Sequence, residues 1–369
     1  MAKDLEIERT FSQKVLAAVG IVVAAALLLL LVYFTIDVIM LLFSAALFAV
    51  FLRGFAVPLS RYIRIPEAAG VLLVFVLVLV VAAGGIAMLA PSVAKQVQVL
   101  RVELPLSAQK AAAFISQYDW GRTLIDQMPS TQGIIEKVDV SSLLSGVGGV
   151  FSSTVGIVGN LFIGILIAVY IAVEPKVYIN GFVRLFSIHK RKRASEVLDA
   201  VGETLRWWLI GKAGSMLFIG VLTWIGLSIL GVPLALTLGL IAALLSFIPN
   251  FGPILSVLPA LLVAFVDTPI KAAYVAGLYL GIQLIESYLV TPYIERETVS
   301  LPPALTMVFQ LALVVTLGFA GMVLAAPLLA VILVIAHMVY VQDVLGDKEG
   351  SELIPADVLD PDIEENPTE

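Results

Sequence analysis

The sequence feature that most constrains the fold is an apolar run, residues 232–266, that carries no charged residue and is interrupted in its middle. The interruption reads Ser246-Phe247-Ile248-Pro249-Asn250-Phe251-Gly252-Pro253. Proline lacks a backbone N–H and clashes with the preceding turn, so a regular helix cannot continue here. In a membrane, non-helical backbone is tolerated only where protein buries it or where it lines a wet cavity. The pattern predicts a binding site at the break; a kinked span with packing prolines is the alternative.

Composition places the chain among membrane proteins. Hydrophobic residues make up 60% and charged residues 14% of the sequence, against about a quarter charged in soluble proteins. Several uncharged runs exceed the ~18–20 residues that cross a bilayer core. We therefore predict an all-α polytopic membrane protein with six to eight transmembrane helices. The first apolar run is long enough to span, which indicates an anchor and not a removed signal peptide.

The N-terminal part, residues 1–90, is predicted to hold a short interfacial segment and three membrane spans. The first two spans, 15–34 and 38–52, are expected to form a tight hairpin at Asp37, their only intervening charge. Arg53, Arg61 and Arg64 follow the second span and should be cytoplasmic by the positive-inside rule. Parity then places both termini in the cytoplasm.

The middle of the chain alternates between polar and apolar segments. Residues 91–149 mix charged and apolar side chains at helical spacing, which predicts an extracytoplasmic amphipathic insert, either a gate or assembly surface or a structural insert. A fourth span, 150–173, precedes a basic cytoplasmic helical loop, 174–206, suited to anionic headgroups. Topology alone explains its charge, so no nucleic-acid partner is expected.

The C-terminal part is expected to hold a transport core, 207–342, and an acidic, disordered tail, 343–369. Within the core, the run 304–340 is too long for one span and resembles the run 232–266 at an offset of 69 residues. Gly252 matches Gly321, and Ala235-Leu236-Thr237 matches Ala304-Leu305-Thr306. The two runs are either long kinked spans, giving eight spans, or two re-entrant hairpins that enter from opposite faces. The second architecture is favoured because it places a break at mid-membrane in both runs.

The span between these runs carries the candidate ionisable group. Gln283, Glu286 and Ser287 share one helical face with Tyr279. A carboxylate inside a span is costly and is a functional hypothesis by default, because it can take up a proton or pair with a small cation. The alternative is that Glu286 lies near the interface and only snorkels or caps. Asn250 and Gln310 are neutral polar groups that could complete the site.

Enzyme chemistry and cofactors find no support in the sequence. Cysteine is absent, which excludes disulfides and thiolate metal sites. His189 and His337 are too few and too far apart to suggest a metal centre, and no phosphate-binding loop of the Walker type occurs. Secondary transport, without ATP hydrolysis in this chain and without a cofactor, is the expected function.

Residues from about 205 to 344 resemble the C-terminal half of the autoinducer-2 exporter (AI-2E) family. The motifs that carry the resemblance are Gly231-Val232-Pro233, Ile248-Pro249-Asn250-Phe251-Gly252-Pro253, Gln283 to Glu286 followed by Thr291-Pro292, and Gly318-Phe319-Ala320-Gly321 followed by Ala326-Pro327. The N-terminal half is similar in layout more than in residues. Asn250 departs from the family pattern, which usually has an aromatic residue there.

The resemblance implies a multi-pass transporter of the bacterial inner membrane, assembled as a homo-oligomer. Some members export the quorum-sensing signal autoinducer-2, and others are sodium (or lithium)/proton antiporters. An exporter of this small, uncharged, polyhydroxylated molecule would use neutral groups such as Asn250, Gln283 and Gln310. An antiporter would use Glu286. A non-transporting membrane scaffold and a channel are further alternatives.

Overall fold

The computed structural model describes residues 11–87, 154–292 and 301–347. Every regular element in these three ranges is helical, and they contain no strand, as the predicted all-α class requires. We number the helices in chain order: α1 Phe11–Ile63, α2 Glu67–Ala87, α3 Thr154–Val173, α4 Pro175–Val183, α5 Arg191–Ile229, α6 Ala235–Leu245, α7 Phe251–Asp267, α8 Pro269–Ile285 and α9 Pro303–Ile335. The predicted insert 91–149 and tail beyond residue 347 lie outside the described residues.

The N-terminal helix corrects one prediction. α1 is a single helix of 53 residues that passes through Asp37, where a hairpin between two spans was predicted. One charged residue without a neighbouring glycine or proline does not end a helix, because aspartate costs less than 1 kcal/mol relative to alanine there. The helix is about 80 Å long at 1.5 Å per residue, well beyond the thickness of a bilayer core.

α1, α2 and α3 form one packed group. Leu52 and Ala56 of α1 are fully buried against Val71 of α2 and Ala172 of α3. Arg53 joins the same three helices, because it donates 2.9 Å to the carbonyl oxygen of Ala172 and 2.8 Å to the Glu67 carboxylate. The end of α1 and the end of α3 therefore lie side by side.

The predicted basic loop, 174–206, is helical and continues directly into the next predicted span. α3 and α4 meet at Glu174-Pro175 with a bend of 89°. α5 then runs without interruption for 39 residues. The sequence Arg191–Trp207 contains no proline, and Glu203 pairs with Arg206 one turn away, which favours a continuous helix.

The central broken segment is a helical hairpin, which we call the first hairpin, residues 235–267. Ala235 and Leu238 at the start of α6 pack in one apolar cluster with Ala260 and Ala264 near the end of α7. The two ends are also tied by Lys271, whose ammonium donates 3.2 Å to the carbonyl oxygen of Gly231. The chain therefore enters and leaves this segment at the same place.

The last apolar segment also folds back, and we call it the second hairpin, residues 303–335. Helical geometry is interrupted at Gly318, where φ is 65° and ψ is −150°. Leu301, just before the segment, packs against the apolar cluster that contains Val334 near its end, although a straight helix would separate these two residues by about 50 Å. The prediction of two broken apolar segments is confirmed.

The two hairpins enter from opposite ends of α5. The open end of the first hairpin packs on Leu227, near the end of α5. The open end of the second packs on Val197 and Ala200, near its start. An arginine secures this second contact: Arg193 donates 2.8 Å to Gln342 and 3.0 Å to the carbonyl oxygen of Met338, and pairs with Asp343 at 3.0 Å. The tips of both hairpins consequently point toward the middle of α5.

By length and composition, five helices of the described residues are suited to cross a membrane, and a sixth if the bent pair α3–α4 is counted as one span. The candidates are Thr35–Ile63, Glu67–Ala87, Ile188–Ile229, Pro269–Val290 and Pro303–Gln342. The last of these contains the fold-back at Gly318. The fold is that of a multi-pass membrane protein.

Candidate functional site

The tip of the first hairpin is a tight turn centred on Asn250. Its backbone has φ 65° and ψ −47°, and the N–H of Phe251 donates 2.7 Å to the carbonyl oxygen of Pro249. This i to i+2 bond with positive φ is a γ-turn of the rare, strained kind. Asparagine tolerates positive φ better than most residues with a Cβ, which gives a physical reason for its presence at this position.

Each hairpin has a glycine where its two arms approach most closely. A Cβ on Gly252 would overlap the carbonyl oxygen of Leu245, and a Cβ on Gly321 would overlap that of Leu313. Both glycines follow a residue with φ of 65°, Asn250 in one hairpin and Gly318 in the other. The match between Gly252 and Gly321 in sequence is thus a match in structure.

One side chain of the second hairpin contacts the tip of the first. Gln310 is fully buried, and its Nε2 donates 3.1 Å to the carbonyl oxygen of Pro249. Its Oε1 is also buried and has no hydrogen-bond partner in the described part of the chain. Gln310 and Pro249, both predicted site residues, are therefore brought together. Pro253 takes part locally, since its carbonyl accepts 3.0 Å from Ser256 in the first turns of α7.

Glu286 is buried at the end of α8, with only 8% of its surface exposed. It opens a π-helical turn, Glu286–Val290, and such turns are frequent at functional sites. Ser215 of α5 donates 3.1 Å to Oε1, and Gln283 donates 3.1 Å to Oε2. The alternative that Glu286 only snorkels to the interface is not supported by this burial.

The predicted polar face of α8 is divided between two neighbours. Tyr279 donates 3.3 Å to the carbonyl oxygen of Ser256 on α7, away from the carboxylate. Ser287 is exposed and accepts 3.4 Å from Gln283. α7 and α8 are antiparallel, so one turn forward from Tyr279 on α8 corresponds to one turn back from Ser256 on α7. Gln283 therefore lies at the level of Gly252. The Glu286 site and the tip of the first hairpin thus lie at the same height.

Two residues of this site were missed by the sequence analysis, Lys212 and Ser215 of α5. Lys212 is half-buried and close enough to Glu286 for electrostatic attraction, and Ser215 is buried. They lie one turn apart on one face of α5. The signal that could have found them was present, because Lys212 is the one charged residue between Arg206 and Asp267.

Aromatic and aliphatic contacts bracket this polar group along α5. On one side, Trp208 packs edge-to-face on Phe247 of the first hairpin's tip, with 5.7 Å between the ring centres. On the other side, Ile219 packs with Ala242 and Ile282. Lys212, Ser215, Gln283 and Glu286 lie between these contacts. We call these four residues the α5–α8 polar site.

Comparisons with known proteins agree with this architecture. A family model described as "AI-2E family transporter" matches residues 21–340. YueF of Bacillus subtilis, named as a candidate transport protein, is 25% identical over 279 residues, which cover 73% of this chain and 76% of YueF.

Two further relatives, also named as candidate transport proteins, match shorter stretches. YrrI of B. subtilis is 34% identical over 38% of this chain and 40% of its own length. YhhT of Escherichia coli K12 is 30% identical over 31% of this chain and 33% of its own length. Since the family model covers most of the sequence, the chain belongs to the AI-2E family of transporters.

Proposed function

We propose that this protein is a secondary transporter of the bacterial inner membrane that exports a small polar solute of the autoinducer-2 kind. The family and the apolar helices support a multi-pass membrane transporter. The observation that carries the finer proposal is the contact between the hairpins, where Gln310 donates to the carbonyl oxygen of Pro249. Many transporters bind their solute at such breaks between repeated elements of opposite orientation.

The lengths of the helices support membrane re-entry of the first hairpin. α6 has 11 residues and α7 has 17, so they are about 16 Å and 25 Å long. Both are shorter than the ~30 Å hydrocarbon core, and their outer ends meet. A hairpin that enters from one face and turns near the midplane satisfies these lengths.

The positions of the basic residues support the orientation of the core. Arg53 lies beside the end of α3, and the basic stretch from Lys176 to Arg193 follows that end directly. The positive-inside rule then makes this side cytoplasmic. In this orientation the second hairpin opens to the cytoplasm and the first opens to the outside. Asp343 pairs with Arg193 on the cytoplasmic side, so the C-terminus is cytoplasmic as well.

The N-terminus and the oligomeric state rest on sequence and family alone. A single continuous helix crosses a membrane once, so α1 with its C-terminal end in the cytoplasm reverses the parity argument that placed the N-terminus inside. The basic residues Lys3, Arg9 and Lys14 are the remaining support for a cytoplasmic N-terminus. Assembly as a homo-oligomer follows from the family resemblance. The predicted insert 91–149 would then lie outside the membrane.

The chemistry of the α5–α8 polar site suits a hydroxylated solute. Lys212 offers hydrogen-bond donors, and Glu286 keeps further lone pairs while Ser215 and Gln283 donate to it and hold it in place. At the hairpin tips, the Oε1 of Gln310 adds a free acceptor, and Trp208 and Phe247 add an apolar contact. A solute rich in hydroxyl groups needs both donors and acceptors at fixed positions.

A second candidate function, sodium (or lithium)/proton exchange, is favoured by the burial of Glu286 itself. A carboxylate within a membrane span can carry a proton or a monovalent cation in turn. For this exchange, Glu286 would bind the proton and the cation in turn, with Ser215 and Gln283 as its neutral neighbours.

Transport by reconstituted protein tests both candidates. The full chain is placed in proteoliposomes with an internal pH-sensitive dye, and autoinducer-2 accumulation is followed in parallel. Solute accumulation that is lost in Glu286→Gln supports the exporter, whereas a pH change evoked by sodium or lithium and lost in the same variant supports the antiporter. Gly277→Ala is the matched control on α8, because a Cβ there meets no atom within 4 Å. Absence of both fluxes in folded wild type would support a membrane scaffold instead.

A further inference from the structure

Lys212 lies near the middle of α5, four residues after Trp208 and three before Ser215, so all three share one helical face. Its side chain is half-buried, one turn from Trp208, whose ring packs on Phe247 at the tip of the first hairpin. A lysine within an apolar span is expensive to place and marks a functional site by default.

The two charges of the α5–α8 polar site are satisfied to different degrees. Both oxygens of Glu286 accept a hydrogen bond at 3.1 Å, one from Ser215 and one from Gln283. Lys212 attracts Glu286 electrostatically, but among the described residues it makes no ion pair within 4.0 Å and donates no hydrogen bond. Its ammonium group has three N–H donors. The site therefore has an open donor with positive charge.

We infer that Lys212 binds an anionic oxygen group, a carboxylate or a phosphate, of the transported solute, and that Glu286 is its fixed counter-charge. This inference rests on the proposed function, export of a small polar solute, and it replaces the uncharged autoinducer-2 with a small hydroxylated anion as the expected substrate. An ammonium group with free donors recognises such an anion as a point charge. Ser215 and Gln283 hold the Glu286 carboxylate in place so that it does not close onto Lys212.

The empty site then carries one positive and one negative charge, and the loaded site carries one additional negative charge for a carboxylate or about two for a phosphate. Gln310 would face the hydroxyl groups of the solute, because its buried Oε1 accepts no hydrogen bond from the described residues. An anion would satisfy the ammonium group of Lys212, and a hydroxyl would satisfy the Oε1 of Gln310.

Binding to the purified full chain in detergent tests the inference. The probes are D-glycerate, glycerol 3-phosphate and the matched neutral polyol glycerol, and the readout is the midpoint of thermal unfolding at increasing probe concentration. We expect one or both anions to raise the unfolding midpoint of wild type. They should act at concentrations at least about tenfold lower than glycerol, because the loss of one charge-assisted hydrogen bond weakens binding about tenfold. The stronger of the two anions identifies carboxylate or phosphate.

Variants of Lys212 make the assignment specific. The effective anion concentration should rise at least about tenfold in Lys212→Gln and stay near wild type in Lys212→Arg, which keeps the charge. Lys192→Gln is the control, because Lys192 is almost fully exposed. If Lys212→Gln does not fold, two other results still test whether an anion binds at Lys212. They are the effective anion concentration in Lys212→Arg against wild type, and the ratio of effective anion to effective glycerol concentration in wild type.

Three results would overturn the inference. Stabilisation of wild type by glycerol at the same concentrations as the two anions, with no change for any probe in Lys212→Gln, would indicate a neutral-solute transporter and leave the proposed function intact. Stabilisation by sodium chloride or lithium chloride that strengthens in Lys212→Gln would indicate a cation site at Glu286. No stabilisation by either anion, with autoinducer-2 still transported, would show that Lys212 has a structural role only.

Discussion

Gln310 in the second hairpin donates a hydrogen bond of 3.1 Å to the carbonyl oxygen of Pro249 at the tip of the first. The two residues are 61 positions apart in the chain and belong to hairpins that enter from opposite ends of α5. A break in a helix exposes carbonyl groups that apolar surroundings cannot satisfy. The second hairpin thus helps to satisfy the backbone of the first.

Gln310→Leu should lower stability, because the carbonyl oxygen of Pro249 loses one of its two donors and keeps only the N–H of Phe251. We expect a loss of about 0.5–1.5 kcal/mol in the free energy of unfolding. Thermal unfolding of the purified protein in detergent measures it. Thr316→Val is the control in the same arm, since the Thr316 hydroxyl bonds only to carbonyls of its own helix. Equal losses in the two variants would mean that the inter-hairpin bond contributes nothing particular.

Gly252→Ala and Gly321→Ala should both be strongly destabilising. In each case the new Cβ would overlap a backbone carbonyl oxygen of the opposite arm, of Leu245 or of Leu313, which cannot move aside like a flexible side chain. Overpacking of this kind costs about 1–3 kcal/mol or more. Gly277→Ala and Gly281→Ala, where the Cβ meets open space, should keep the wild-type unfolding midpoint. A wild-type midpoint for Gly252→Ala would contradict the fold-back geometry.

Substitution of Asn250 separates backbone strain from side-chain function. Asn250→Gly relieves positive φ and should leave stability unchanged or raise it by up to about 1 kcal/mol, whereas Asn250→Val should cost about 1–3 kcal/mol. Unfolding midpoints and solute transport are measured on both. If Asn250→Gly still transports, the role of Asn250 is to form the turn. If it loses transport while its stability is unchanged, the role of the Asn250 amide is to bind the solute.

The contact between Arg193 and Asp343 should hold the start of α5 to the end of the second hairpin. The side chains are 33% and 41% exposed, so the coupling in a double-mutant cycle of Arg193→Met and Asp343→Asn should be only about 0.2–1 kcal/mol. It should weaken at high salt. The single variant Arg193→Met also loses its bonds to Gln342 and Met338, and should therefore cost more than Asp343→Asn.

The sequence was most informative where backbone chemistry leaves no choice. Two prolines and a glycine located the first break, and the offset of 69 residues paired Gly252 with Gly321 before their shared role at the hairpin tips was visible. Glu286 was identifiable because a carboxylate within an apolar helix has few structural explanations.

What the sequence could not predict depends on contacts between distant segments. Ser215 and Lys212 join Glu286 only because α5 and α8 pack together. Ser215 and Glu286 are 71 positions apart in the sequence. The pairing of Arg193 with Asp343 likewise links the predicted loop to the predicted tail. At Asp37 the error was local: an isolated charge was interpreted as a turn, although helix propensity permits it within a continuous helix.

Access of water to Asn250 would show that the tip of the first hairpin lies in the membrane beside a water-filled solute site. The absence of cysteine allows single-cysteine labelling without removing any native residue. Asn250→Cys in proteoliposomes is treated with a small charged thiol reagent, with and without the transported solute, and Leu244→Cys on the exposed outer face of α6 is the control. We expect the reagent to label position 250, the solute to slow this labelling, and position 244 to be labelled little. Labelling at 244 with none at 250 would contradict it.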